Sequence, residues 1–301
     1  MNILVTGGAG FIGSNLVARL LKEGHKVEVI DNLHTGSEQN LQGLDAKFFK
    51  GNCGDIAKLG ITKPQVIFHE GIYSSSPMYK KEPHLTAKVI DEFISILEYA
   101  KINKCKVIFA STSSLYCGQT PPQKEGIIPI IADYYTEARI MMERIAKLYS
   151  DVHGVSIIGL RYFSVYGPNE KSKGIYANLI SQFLWDMQKG VAPVLYGDGS
   201  QTRDFTFVDD VVEANILAMN KQIPYGIYNV GTGRNYTLLQ LVEILNKALN
   251  TQIKPTFVEN KIKNYVQTTL ADTTLAKNEL GFEAKVSLEE GINKLIEAQK
   301  S

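Results

Sequence analysis

The run Thr6-Gly-Gly-Ala-Gly-Phe-Ile-Gly13 restricts this chain more than any other stretch of it. It stands between a short apolar run at 3–6 and a segment, 11–23, whose apolar residues recur at helical spacing. Gly8, Gly10 and Gly13 satisfy G-x-G-x-x-G, while Gly7, Gly10 and Gly13 satisfy G-x-x-G-x-x-G. Glycines between a strand and a helix allow a tight turn. They also let a pyrophosphate reach the helix N-terminus, where unpaired N–H groups and the helix dipole favour an anion. A glycine triplet alone is weak, but here a second strand at 26–31 follows and ends in an acid. Asp31, 18 residues beyond Gly13, can accept hydrogen bonds from both hydroxyls of an adenosine ribose. A carboxylate there repels a 2′-phosphate, so the pattern predicts NAD rather than NADP.

The remainder of the first half continues the alternation. Short apolar runs at 46–50, 66–69, 107–111 and 156–160 are separated, from the third onward, by helical patterns at 84–101 and 133–152. That predicts an α/β fold with a parallel sheet covered on both faces. The second half has a glycine-rich loop at 196–199, a helix at 209–220, a turn at 231–233, and helices at 238–249 and 287–298. No linker divides the halves, so a second domain is expected to be built from insertions packed on the first. With 32 Lys+Arg against 31 Asp+Glu, the charge balance gives no sign of nucleic acid or a membrane surface. Cys53, Cys105 and Cys117 lack paired spacing, and five scattered histidines form no ligand cluster, so neither a disulfide framework nor a metal is expected. The first residues run straight into a strand without a signal peptide, and no apolar run approaches the ~20 residues of a membrane span. The expectation is a soluble, cytoplasmic protein.

The chemistry is carried by Tyr135 and Arg139, about twenty residues after Ala-Ser-Thr-Ser-Ser-Leu-Tyr at 110–116. A phenol and a cation at i and i+4 share one helix face, where the charge can stabilise a phenolate. Hydroxyls closing a buried strand supply a partner hydrogen bond. Together they describe a proton-transfer site for oxidising a sugar or alcohol carbon. A Tyr and an Arg four apart are ordinarily a solvated helix face, so the surroundings give the pair its weight.

Further motifs follow in order: Val-Ile-Asp-Asn-Leu (29–33), Tyr-Thr-Glu-Ala-Arg (135–139), Arg-Tyr-Phe-Ser-Val-Tyr-Gly-Pro (161–168), Tyr-Gly-Asp-Gly-Ser-Gln-Thr-Arg-Asp-Phe (196–205), Asn-Val-Gly-Thr-Gly (229–233) and Ala-Asp (271–272). On these the chain resembles the extended short-chain dehydrogenase/reductase family, in its branch of NAD-dependent nucleotide-sugar epimerases and dehydratases, nearest to the UDP-glucose 4-epimerases. The resemblance implies a Rossmann-type doubly wound sheet, at 1–163 and 204–232, and a smaller discontinuous α/β domain for the nucleotide sugar, at 164–203 and 233–301. Tyr135 matches the family base, Thr112 with Ser113 beside it the catalytic hydroxyl, and Arg139 occupies the place of a lysine. Cofactor contacts carry over to Gly7, Gly10, Phe11, Ile12 and Gly13 at the pyrophosphate. Asn32, Asn52 and Cys53 join Asp31 around the adenosine. Gly71, Lys88 and Tyr162 join Tyr135 and Arg139 further along. Substrate contacts carry over to Ser164, in the place of an asparagine, and to Arg203, whose guanidinium suits a diphosphate. Tyr73, Ser75, Thr112 and Asn178 complete that set.

Several positions depart from the family pattern. Lys88 replaces an asparagine, His69-Glu-Gly-Ile replaces His-Leu-Ala-Ala, and Gly51-Asn-Cys replaces Gly-Asp-Ile. Cys117 takes a glycine's place, and Lys261-Ile-Lys-Asn-Tyr stands where Arg-Pro-Gly-Asp is usual. These bear on substrate identity more than on cofactor use. Cys117 reads as a packed thiol and His34 as a solvated loop residue; a bland role for Arg203 is an ion pair with Asp204 or Asp209. Arg139 in place of lysine implies a working but slower site, displaced to higher pH.

Three reactions share the scaffold: 4-epimerisation, 4,6-dehydration and uronate decarboxylation. The family's dehydratases and decarboxylases place carboxylates directly after the threonine or two positions on, where this chain has Ser113 and Ser114. The reading is therefore 4-epimerisation of a nucleotide-diphosphate sugar of the UDP-glucose/UDP-galactose type through a 4-keto intermediate, by a homodimer. Alternatives are another nucleotide-sugar enzyme of the family (a uronate or N-acetylhexosamine epimerase, a dehydratase, a decarboxylase) or a catalytically weak NAD-binding sensor. The sugar would be chosen by loops at 73–78 and 171–178.

Overall fold

Asn2–Thr6 (β1) has no polar face: Ile3, Leu4 and Val5 are all buried, as a central strand of a parallel sheet requires. Lys26–Asp31 (β2), Lys47–Lys50 (β3), Val66–His69 (β4), Lys106–Thr112 (β5) and Ile157–Tyr162 (β6) join it, and Tyr225–Val230 adds a seventh strand. Across the sheet the order is Tyr225–Val230, β6, β5, β4, β1, β2, β3, with every pair parallel. From β1 the chain winds outward to β3, then returns to β4 on the other side. That reversal opens a crevice at the carboxyl ends of the strands, where α/β sheets bind ligands. The computed structural model describes residues 1–130, 132–261 and 265–300. Ile262, Lys263 and Asn264, within the 261–265 stretch noted above, lie outside the described residues.

Alternate residues of β1 feed two cores. Ile3 and Val5 pack with the helices Phe11–Lys22 (α1) and Val208–Asn220 (α6), while Leu4 packs with Leu85–Asn103 (α3) and Tyr134–His153 (α4). The first core runs on without interruption into Leu179–Met187 (α5), Leu238–Leu249 (α7) and Leu288–Ala298 (α8). α4, which carries the Tyr/Arg pair, begins where the Asp133 carboxylate accepts the Thr136 N–H at 2.9 Å, and it stops at Gly154 in the left-handed region. That cap holds the first turn, and Tyr135 within it, at one angle to the sheet. Among the described residues no helix is long and apolar enough to cross a membrane.

Among the described residues, one strand of the main sheet and two α-helices go beyond the sequence reading. Tyr225–Val230 escaped it because glycine and asparagine interrupt its apolar run; Asn229 is nonetheless fully buried, taking a hydrogen bond from the Tyr116 hydroxyl at 2.6 Å. The short helix Ser76–Lys81 (α2) and α5 were also unforeseen. The first spans less than two turns, and the second lay inside what read as a loop-rich half.

Candidate active site

At the crevice the glycines are required by close approach. A Cβ on Gly13 would lie 2.1 Å from the Gly7 carbonyl oxygen, and one on Gly7, at φ +70°, 2.5 Å from the Gly71 nitrogen. α1 starts at Gly10 with no side-chain cap and no acid in its first turn. Its leading N–H groups therefore open toward the crevice, as a pyrophosphate needs. At the end of β2, Asp31 accepts the Ala9 N–H at 3.0 Å and the Leu33 N–H at 2.7 Å, one on each carboxylate oxygen. Burial raises its carboxyl above the ordinary value while these N–H groups pull it back. The Asn32 amide donates to Asn52 Oδ1 at 3.1 Å. The Cys53 thiol donates to the Gly71 carbonyl at 3.3 Å and is pushed up to about 12 by burial, so it packs rather than reacts. The residues present fit an adenine dinucleotide: a bare helix end for phosphate, then a carboxylate for ribose.

The same cavity, of ≈ 340 Å³, continues past Gly71 to Thr112, Ser113, Tyr135, Arg139, Tyr162 and Ser164. Thr112 ends β5, and its hydroxyl accepts the Ser114 N–H at 3.1 Å while lying 3.2 Å from the Ser114 hydroxyl. Behind it, Ser111 donates to Glu143 at 2.6 Å, and Arg161 grips the same carboxylate with two bonds of 2.9 and 2.7 Å. Arg161 also donates to the Tyr116 hydroxyl at 2.8 Å. This buried set ties the end of β5 to α4, so the hydroxyl and the phenol are held by one frame. A buried pair of this kind fixes geometry more than it adds stability. Ser164 sits at φ +33°, where β6 turns out of the sheet. Asparagine tolerates that region better than serine, which gives the family's usual residue there a backbone rationale.

Arg139 departs from its expected pose. Its guanidinium carbon lies 4.8 Å from the centre of the Tyr135 ring, stacked on the face. One nitrogen donates to the Tyr73 carbonyl at 2.7 Å, and another lies 3.6 Å from the Met142 sulfur. Two nitrogens of a group expected to contact the cofactor are thus engaged by protein. The guanidinium holds the 73–78 loop against α4, with Tyr79 edge-on to Tyr135 at 5.4 Å.

Four expected contacts lie off the cavity wall. Asn52 and Lys88 reach it only through Asn32 and Tyr73; the Lys88 amine is 2.8 Å from the Tyr73 hydroxyl, since a long exposed side chain finds the nearer acceptor. Ser75 precedes α2 rather than facing the cavity. Arg203 donates to the carbonyls of Thr202 and Gln267 and stacks 5.4 Å over Tyr265. It pairs with neither acid named for it: Asp204 accepts from Thr232, Gly233 and Ala271, and Asp209 pairs with Lys294. Tyr73 and Asn178 do line the cavity. His34 is an exposed loop residue, as its sequence suggested, and it also stands at the cavity edge-on to Tyr73 at 4.7 Å.

Sequence reasoning gives no individual role to Glu70, or to Lys173 and Tyr176 within the 171–178 loop it names, yet all three line the cavity. Lys173 reaches over the Phe11 ring at 5.5 Å, tethered at 3.3 Å to the buried Glu170. Glu70, directly after β4, accepts the Tyr162 hydroxyl at 2.8 Å, and that hydroxyl also takes the Asn215 amide at 2.9 Å. Glu70 is partly buried on the cavity wall, and desolvation there pushes its carboxyl up to about 7 against the opposing pull of Tyr162 and Arg139. Next to it His69 is held neutral, pushed down to about 3 by burial, and bonds Thr6 at 2.8 Å. The departure from His-Leu-Ala-Ala was visible in the sequence and would have led to Glu70.

A family model described as the NAD dependent epimerase/dehydratase family matches residues 3–231. The UDP-glucose 4-epimerase of Mycolicibacterium smegmatis is 31% identical, over 99% of this chain and 98% of its own length. The UDP-N-acetyl-alpha-D-glucosaminuronate decarboxylase of Bacillus cytotoxicus is also 31% identical, over 98% and 96%. The crystal structure of the Thermotoga maritima UDP-glucose 4-epimerase with UDP-glucose superposes with a TM-score of 0.94 at 34% identity, covering 100% of this chain and 99% of that one.

Proposed function

The chain belongs to the NAD dependent epimerase/dehydratase family, and from that premise we propose that it inverts C4 of a nucleotide-diphosphate sugar of the UDP-glucose/UDP-galactose type. NAD, when bound, supplies the acceptor and later the donor of a hydride. Tyr135 takes the proton of the C4 hydroxyl and returns it after the sugar has presented its other face. Thr112 orients that hydroxyl, and for this its own proton must swing from Ser114 toward the substrate. Arg139 holds the Tyr135 ring in place and contributes positive charge to its surroundings. Ser164 is proposed for the diphosphate, together with Arg203, which must leave the Thr202 and Gln267 carbonyls to reach it, and Tyr73 and Asn178 stand nearer the sugar. The proposed division of labour assigns 1–163 and 204–232 to the cofactor, and 164–203 with 233–301 to the nucleotide sugar.

One observation carries the reading: Thr112 is followed in the cavity wall by the hydroxyls of Ser113 and Ser114 rather than by carboxylates. Elimination and decarboxylation need an acid or base there, and without it reversible oxidation remains. The decarboxylase relative, at the same identity, supports the second reading. Incubation with UDP-glucose, followed by chromatography, should yield the C4 epimer with no net rise in NADH absorbance. Carbon dioxide release from a UDP-uronate, without C4 inversion of any UDP-sugar, would replace the proposal by decarboxylation.

A further inference from the structure

We propose that Glu70 is a cofactor-tuning residue, an ionisable carboxyl beneath the reactive end of the cavity whose charge state sets the preference for oxidised over reduced NAD. This rests on NAD use by the family, not on which sugar is turned over.

The geometry begins with position. Glu70 follows β4 immediately, accepts the hydroxyl of Tyr162 at the end of β6, and lines the same cavity as Thr112 and Tyr135. The adenosine end is marked by Asp31 and the pyrophosphate by the head of α1, so the floor beyond Gly71 belongs to the nicotinamide half. The oxidised nicotinamide ring carries a positive charge and the reduced ring none. A partly buried carboxylate on the wall of that space interacts with the charge at an effective dielectric below that of water, where the energy is larger.

The surrounding charges decide whether Glu70 can respond. Arg139 of α4 and the Tyr162 hydroxyl favour the ionised form, and burial opposes them, leaving the group poised near neutrality. His69, beside it on β4, is neutral and adds no charge. Asp31 and Glu92 also line the cavity and are raised by burial, but they stand at the adenosine end. Both redox forms present the same adenosine there, so titration of those two acids cancels when the forms are compared. Glu70 is ionised above its midpoint and protonated below it. Preference for oxidised NAD is therefore present at high pH and lost as pH falls.

The test equilibrates the holoenzyme with an equal mixture of NAD⁺ and NADH, separates the protein and quantifies the two bound forms by chromatography. Between about pH 6 and about pH 8 the bound ratio should rise toward the oxidised form by about tenfold, the equivalent of one unit of coupling. Glu70→Gln should make the ratio independent of pH, and Tyr162→Phe, which removes a donor to the carboxylate, should move the rise to higher pH. A flat wild-type ratio would overturn the proposal, as would a Glu70→Gln protein retaining the rise. Should Glu70→Gln fail to fold, an unshifted rise in Tyr162→Phe would be equally decisive. Loss of epimerase activity with the rise intact would count against the substrate reading and leave Glu70's role supported.

Discussion

The two ends of the cavity are built from different materials. Around Gly7, Gly10 and Gly13 the wall is main chain, and its selectivity comes from how closely backbone can approach backbone. Around Thr112 and Tyr135 the wall is side chain, fixed by the buried set of Glu143, Arg161, Ser111 and Tyr116. A backbone wall tolerates no substitution but performs no chemistry. A side-chain wall can be edited one function at a time. The cost of a change should therefore fall on binding at one end and on turnover at the other.

The largest effect is expected at the first end. Gly13→Ala places a methyl 2.1 Å from the Gly7 carbonyl oxygen, and since backbone rather than a flexible side chain stands in the way, the turn must open. Calorimetric titration should find no measurable NAD binding; retained binding would mean that the turn is plastic and the contrast false. Next, Tyr135→Phe keeps the ring and its stack on Arg139 but removes the proton acceptor. Turnover should fall by on the order of 10²–10⁴-fold, the worth of a positioned general base, with NAD affinity little changed. Full activity in this variant would move the base elsewhere, with Tyr134, one residue earlier, the first candidate.

The smallest effect sharpens the comparison within the second end. Arg139 faces the Tyr135 ring, whereas an ammonium is a compact point charge that can approach the phenol oxygen. Arg139→Lys should keep turnover within about tenfold of wild type and move the acid limb of the pH–rate profile downward, because a cation nearer the oxygen favours the phenolate. An upward movement would show that the ring stack, not charge at the oxygen, is what the site needs.

The same contrast explains what could be read from the sequence. Gly13 and Asp31 were legible because a close approach and a buried strand end each demand one residue type at one spacing. Thr112 and Tyr135 were legible as a pair separated by a strand–helix interval. Lys173 was not, because it becomes a wall residue only when the Lys171–Tyr176 turn folds back over Phe11, and Glu70 showed only as a departure from the family pattern until the fold set the Tyr162 hydroxyl against it. Arg139 was read on the right face, but its bond to the Tyr73 carbonyl was not foreseen, since helical spacing sets a face but not which carbonyl a long side chain finds. The seventh strand failed for a related reason. Asn229 reads as a turn residue until Tyr116 and Gln123 supply its hydrogen bonds.

The unbroken apolar cluster from Ile3 to Leu295 bears on how the molecule comes apart. The two proposed lobes divide the labour of the site, but they do not own separate interiors: α7 and α8 bury Leu241, Leu245 and Ile292 in the same cluster as β1. Because this cluster spans both lobes, they are expected to unfold together, which a single calorimetric transition would check. Neither lobe could be excised as a free-standing module, because cutting between them would leave a leucine-rich face open to water and prone to aggregate.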